Sequence, residues 1–142
     1  MRRLGDKINA KRLATQAGIP VIEWGGAPVE TLASARAQAE RLQFPLVVKA
    51  SGGAGGRGIR RVDDPAGLER AIASVRRESA RIFLDDTVFL ERWLSAVRHV
   101  EVQVQADRYG NVLSIGTRDC SLQRGFQKLM SEAPAPHLDP ET

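Results

Sequence analysis

The stretch Lys49-Ala50-Ser51-Gly52-Gly53-Ala54-Gly55-Gly56-Arg57-Gly58 governs how the whole chain is read. Five of the seven residues from Gly52 to Gly58 are glycine. Glycine admits positive φ and lets backbone N–H groups come close to a ligand. Successive N–H groups can then cradle phosphate oxygens. Gly53-x-Gly55-x-x-Gly58 has the spacing of the dinucleotide fingerprint, but that motif needs a helix directly after it. Here Ile59-Arg60-Arg61-Val62 follows, which has the pattern of a strand. A Walker loop closes on Gly-Lys-Ser/Thr, and Arg57-Gly58-Ile59 does not supply it. A flap between two antiparallel strands, laid over phosphates, fits best. It places Lys49 at the end of the incoming strand Leu46-Val47-Val48-Lys49-Ala50. Taken alone, the stretch is also compatible with an ordinary glycine-rich turn.

Working outward, Asp6 is placed to cap a helix from about Lys7 to Ala17, with Gly18 at its left-handed stop and Pro20 beyond. Val21-Ile22 reads as a short extended piece and Gly25-Gly26-Ala27-Pro28 as a turn. A second helix is expected from about Thr31 to Leu42, ended at Phe44-Pro45 because the residue before proline resists the helical region. Asp63-Asp64-Pro65 opens a third helix reaching about Ala80, with Leu68, Ile72 and Val75 on one face. Val88-Phe89-Leu90 is a strand. Val100, Val102 and Val104 alternate with Glu101, Gln103 and Gln105 at period two. A turn over Asp107 to Asn111 returns the chain through Val112 to Ile115 as a hairpin. Beyond Thr117 the pattern is irregular.

The 142 residues suit about one domain. A hydrophobic fraction of 42% and a charged fraction of 27% are those of a soluble globular chain. The net charge of +4 suits an anionic ligand without choosing among nucleotide, phosphate and nucleic acid. Arg36, Arg41, Arg70, Arg76, Arg77 and Arg81 fall on the expected helices and read as solvated faces. Seven scattered aromatics give no stacking platform, so no nucleic-acid partner is expected. Cys120, the single cysteine, reads as structural, and one thiol cannot form an internal disulfide. No apolar run approaches the roughly 20 residues of a membrane span, and Met1-Arg2-Arg3-Leu4 lacks the core of a signal peptide. A cytoplasmic location without a membrane partner is expected.

Further blocks share a resemblance. Gly5-Asp6-Lys7 opens a helix. Leu90-Glu91-Arg92-Trp93-Leu94 is followed by Arg98-His99-Val100-Glu101-Val102-Gln103. Arg118-Asp119-Cys120-Ser121-Leu122-Gln123-Arg124 is followed by Gln127-Lys128 and Glu132-Ala133-Pro134. Together with the glycine stretch, in this order and spacing, these blocks resemble the biotin carboxylase family over nearly the whole chain. The resemblance implies an α/β, ATP-grasp fold: the flap (B) subdomain plus a truncated start of the C-terminal subdomain. The division expected is a linker helix over 1–20, the flap with its glycine loop over 21–93, and the start of the next subdomain over 94–142.

The resemblance also implies a chemistry. Family members use ATP and Mg²⁺ to activate bicarbonate as carboxyphosphate and then carboxylate biotin on a carrier domain. A separate carboxyltransferase then passes the carboxyl group on. Lys7 and Lys49 would contact the ATP phosphates, as compact cations on flexible stems. Gly55 and Gly56 would offer N–H groups to the outer phosphates. Glu91, Arg92, Trp93 and Leu94 would form the hinge, its backbone reading adenine and Glu91 reaching the ribose. His99 and Gln123 would contact the nucleotide, although a lone histidine in a strand is often only structural. Lys128 would bind bicarbonate. No metal ligand is assigned, because the family's Mg²⁺ ligands and catalytic base would lie downstream, and the isolated chain is expected not to carboxylate. Gly125, Phe126 and Ser131 depart from the family's usual residues. The ATP-binding segment of another ATP-grasp ligase, such as the carbamoyl phosphate synthetase large chain, and a non-catalytic binding module are the alternatives. An exposed hairpin edge makes a homo-oligomer plausible.

Overall fold

The computed structural model describes residues 2–139. The outer ends of the two terminal segments expected above, residue 1 and residues 140–142, lie outside it. The chain divides after Trp93 into two compact units.

The first unit begins with a short helical turn, α1 (Arg2–Gly5), and then α2 (Lys7–Gln16). Asp6 caps α2 by accepting from the Asn9 N–H at 2.7 Å, which satisfies one of the orphan donors of the first turn. Next comes α3 (Leu32–Leu42), where Thr31 and Ser34 form a reciprocal capping box. Strands β1 (Leu46–Ala50) and β2 (Ile59–Val62) flank the glycine loop. Helix α4 (Pro65–Phe83) is capped by Asp64 through the Gly67 N–H at 3.0 Å, with proline in its first turn. Strand β3 (Val88–Arg92) closes the unit.

The three strands form one antiparallel sheet in the order β2-β1-β3. The glycine loop therefore joins neighbouring strands as a hairpin connection. This is the arrangement required of a flap and excluded for a dinucleotide turn. Lys49 lies opposite Ile59 on one side and Phe89 on the other, and Val47 lies opposite Glu91. Successive side chains alternate between faces. Leu46, Val48, Ala50, Val88 and Leu90 therefore share one face, and they pack with Ala35, Ala39 and Leu42 of α3 and Leu68, Ile72 and Val75 of α4. Each valine, leucine or isoleucine among them contributes roughly 1.5–3 kcal/mol when fully buried. The other face carries Val47, Lys49, Phe89 and Glu91. There Trp24 sets its ring edge-on to Phe89 at 6.0 Å.

In the second unit, β4 (Val100–Ala106) and β5 (Val112–Asp119) pair antiparallel, with a bulge between Gln103 and Val104. Two further strands, β6 (Gln123–Arg124) and β7 (Gln127–Lys128), form a small hairpin around Gly125-Phe126. Asp119 and Glu132 exchange backbone hydrogen bonds at 2.9 Å each way.

Several expectations are revised. The segment over Val21-Ile22, expected only to be a short extended piece, joins no strand and leads to one isolated bridge with the sheet, Trp24 to Glu91. α4 runs to Phe83 rather than Ala80, because the stop is Leu84 in the left-handed region, secured by Ser79 donating to the Asp85 carbonyl at 2.5 Å. β5 continues to Asp119, four residues past Ile115, since the bulge keeps it in register with Val100. The stretch after Thr117 holds a hairpin where no periodic pattern was visible. Among the described residues no helix is long and apolar enough to cross a membrane.

Candidate functional site

In the first unit the polar face of the sheet meets the start of α2. Lys7, in the first turn of α2, donates its ammonium to the Gly53 carbonyl, and its backbone N–H donates to the Ser51 carbonyl at 3.1 Å. The Ser51 hydroxyl donates to the capping carboxylate of Asp6. The glycine loop is thus fastened to the helix start through both main chain and side chains. Burial pushes the Lys7 ammonium below the ordinary lysine value of 10.5, and the nearby Lys49 charge pushes the same way, against Asp6 and Glu91.

Glu91 is buried at 3% exposure and is answered by two cations. Lys49 donates to its Oε1, and Lys11 stands 2.6 Å from its Oε2. Lys49 and Glu91 sit diagonally on one face of β1 and β3, within reach of long side chains. Gly55 and Gly56 take φ of +61° and +75° at the loop tip, and a Cβ at Gly55 would meet nothing within 4 Å.

The rest of the expected hinge is spread out. Arg92 turns away from Glu91 to Glu23 at 2.8 Å. The N–H of Arg92 is committed to the Glu23 carbonyl at 2.9 Å, and that of Trp93 to Pro45 at 3.3 Å. Two of the donors expected to read a base edge are therefore occupied. Arg61 lies over the Trp93 ring at 5.0 Å. Leu94 opens the second unit, partly exposed.

The second unit gathers His99, Gln123 and Lys128 into one network. Its hub is Glu101, which accepts from Lys128 on Oε2 and from Arg118 on Oε1. The His99 Nε2 stands 3.4 Å from the same Oε2. Gln123 donates to the Cys120 carbonyl at 2.9 Å and meets His99 Nδ1 at 2.9 Å. With the Gln123 amide donating, the neutral imidazole carries its proton on Nε2, toward Glu101. The hydrogen bond from Lys128 first, with that from Arg118 reinforcing it, holds the Glu101 carboxyl down at about 2. Cys120 is fully buried, its Sγ 2.8 Å from Ser131 Oγ.

Sequence reasoning missed Lys11, Ser51, Glu101 and Arg118. Lys11 lies four residues from Lys7, on the same face of α2. Glu101 lies two residues after His99, which stands just before β4, and directly opposite Arg118. Those spacings were the available signals. Among the described residues no three His, Cys, Asp or Glu side chains converge as a metal site.

A strand–glycine loop–strand flap with two lysines and a carboxylate beneath it defines a segment of the ATP-grasp fold. Residues 6–142 match the family model of the carbamoyl-phosphate synthase L chain, ATP binding domain, and the chain belongs to that family. It is 42% identical to the biotin carboxylase of Haemophilus influenzae over 99% of its own length and 32% of that protein. It superposes with a TM-score of 0.90 and 40% identity on the Campylobacter jejuni biotin carboxylase solved as a βγ-ATP complex, covering 96% of this chain and 31% of that one. The biotin carboxylase domain dimer of the Hydrogenobacter thermophilus 2-oxoglutarate carboxylase, solved with MgADP, ADP and bicarbonate, gives a TM-score of 0.92 at 36% identity. That match covers 99% of this chain and 31% of that one. The chain thus spans about a third of the length of these relatives.

Proposed function

We propose that the chain is the ATP-binding segment of a biotin carboxylase, which spends ATP to activate bicarbonate and carboxylates biotin on a carrier. The observation that carries this reading is the placement of Lys7 and Lys49 together at the incoming side of the glycine loop. Lys7 is fastened to the loop's own carbonyl and Lys49 sits at the end of the strand that feeds it. A triphosphate would draw both ammonium groups from internal partners to its oxygens, and the N–H groups of Gly55 and Gly56 would close on the outer phosphates. Glu91 is the candidate for a ribose hydroxyl. Of the hinge residues, Arg92, Trp93 and Leu94 would then offer adenine the groups that Glu23 and Pro45 leave open.

Within the second unit, Lys128 is the candidate for bicarbonate. The Lys128 ammonium has three donors, and its hydrogen bond to Glu101 uses one. The others remain for an oxyanion, whose charge they would offset as it approaches a phosphate. His99 and Gln123, fixed by their mutual contact, are candidates for nucleotide contacts. Mg²⁺, when bound with ATP, would neutralise phosphate charge, and its ligands are sought outside the described residues. Carboxylation belongs to a protein of the relatives' full length. The 142-residue chain alone is expected to bind ATP without bicarbonate-dependent turnover. A carrier-borne biotin, a carboxyltransferase, a cytoplasmic location and self-association complete the reading.

Calorimetry of the chain with ATP tests it. Binding that is weakened at least tenfold by Lys49→Ala, a loss of about 1.4 kcal/mol or more, supports it. Absence of heat with well-folded protein would overturn it.

A further inference from the structure

The buried carboxylate of Glu91 serves two lysines, only one of which sits at the loop. Lys49 takes Oε1, and Lys11 takes Oε2 at 2.6 Å. Lys11 is also held by the Ile22 carbonyl, to which its ammonium donates at 3.0 Å. It is therefore pinned between two acceptors, one of them on the segment leading to Trp24. Among the described residues the Lys49 ammonium has no second anchor of this kind and rests on Glu91. The two cations differ accordingly. One is fixed, and the other is free to turn once a better anion arrives.

We infer that Lys11 is a positioning residue that keeps Glu91 neutralised and so releases Lys49 to a polyphosphate. This rests on the nucleotide reading given above. If Glu91 had Lys49 as its sole partner, moving Lys49 to a phosphate would strand a buried carboxylate without a counter-charge, a large penalty in a poorly solvated site. With Lys11 in place, the carboxylate stays paired throughout the exchange. Lys11 thus assists phosphate binding without touching phosphate, and its effect runs entirely through the charge of Glu91.

That dependence gives the test. Inorganic tripolyphosphate is titrated into the 142-residue chain by calorimetry, which removes any contribution of ribose or base. Thermal melting of each variant confirms folding. Lys11→Met is expected to weaken tripolyphosphate binding about tenfold, and Lys11→Arg to stay within about twofold of the wild type. In a Glu91→Gln background, which has no carboxylate to strand, Lys11→Met is expected to change affinity by less than about twofold. An unchanged affinity in Lys11→Met overturns the inference. So does an equal loss in both backgrounds, which would mean that Lys11 attracts the phosphate itself or merely supports the fold. A wild-type chain that binds neither tripolyphosphate nor ATP overturns the nucleotide reading, and this inference with it.

Discussion

Lys7 and Gly53 are joined across forty-six positions of sequence by a hydrogen bond from the lysine ammonium to the glycine carbonyl. The bond ties a flap to the helix beneath it, and the cation that makes it is half removed from water. Its pKa lies below 10.5 chiefly because of that burial. A lysine whose folded value is depressed favours folding only above the ordinary value, and the contribution is lost as pH falls through the folded one. At neutral pH the charged Lys7 therefore costs stability. Lys7→Met is expected not to lower the melting temperature of the free chain at pH 7. It should nonetheless weaken tripolyphosphate binding about tenfold or more, the trade expected of a binding group held under strain. Differential scanning calorimetry and titration on the same sample check both parts.

Glu101 gives the opposite sign. Its carboxyl is held at about 2 rather than 4.5 by Lys128 and Arg118. Its contribution to folding is complete above pH 4.5 and disappears as pH falls toward 2. Asp119, also near 2 through Ser121 and Arg98, titrates in the same window. Carbon-detected NMR of the side-chain carboxyl groups should place the Glu101 midpoint well below that of an ordinary glutamate. Lys128→Met should move it upward.

Two glycines of the loop should respond differently to alanine. A methyl at Gly58 would stand 2.7 Å from the Ala50 Cβ at a φ of +68°, combining a clash with left-handed strain. Gly58→Ala is expected to destabilise the first unit by about 2 kcal/mol or more. Gly55→Ala meets only the conformational cost, roughly 1–2 kcal/mol, since its surroundings are open. Urea denaturation of both variants gives the order.

Phe126 occupies a φ of +65° beside Gly125 at +57°, the two central positions of the β6–β7 turn. Two-residue hairpins of this shape favour asparagine and glycine. Phe126→Asn is expected to stabilise the second unit by about 1 kcal/mol, read as a higher midpoint in urea.

That turn also shows what was legible in the chain and what was not. α4 could be read directly, because Asp64, Pro65 and the spacing of Leu68, Ile72 and Val75 all point to the same helix. The flap could be read because a strand follows Gly58 where a helix would otherwise be required. The β6–β7 hairpin could not, since two-residue strands have no periodicity and phenylalanine is not a turn former. Glu101 and Lys11 were hidden for a different reason. Glu101 is one polar member of an alternating strand, and Lys11 is one lysine within the expected helix from Lys7 to Ala17. Their importance comes from partners seventeen to eighty residues away, Arg118 and Glu91, which no local window contains.

The register of β1 against β3 has a bearing on how such a protein can vary. Residues added to or lost from the tip between Gly52 and Gly58 would change the flap's reach yet leave Lys49 opposite Phe89. A single residue gained or lost inside Leu46–Ala50 would turn Lys49 into the apolar layer and bring Val48 out beside Glu91. Length variation in descendants of this gene should therefore accumulate at the glycines and be purged from the five residues before them.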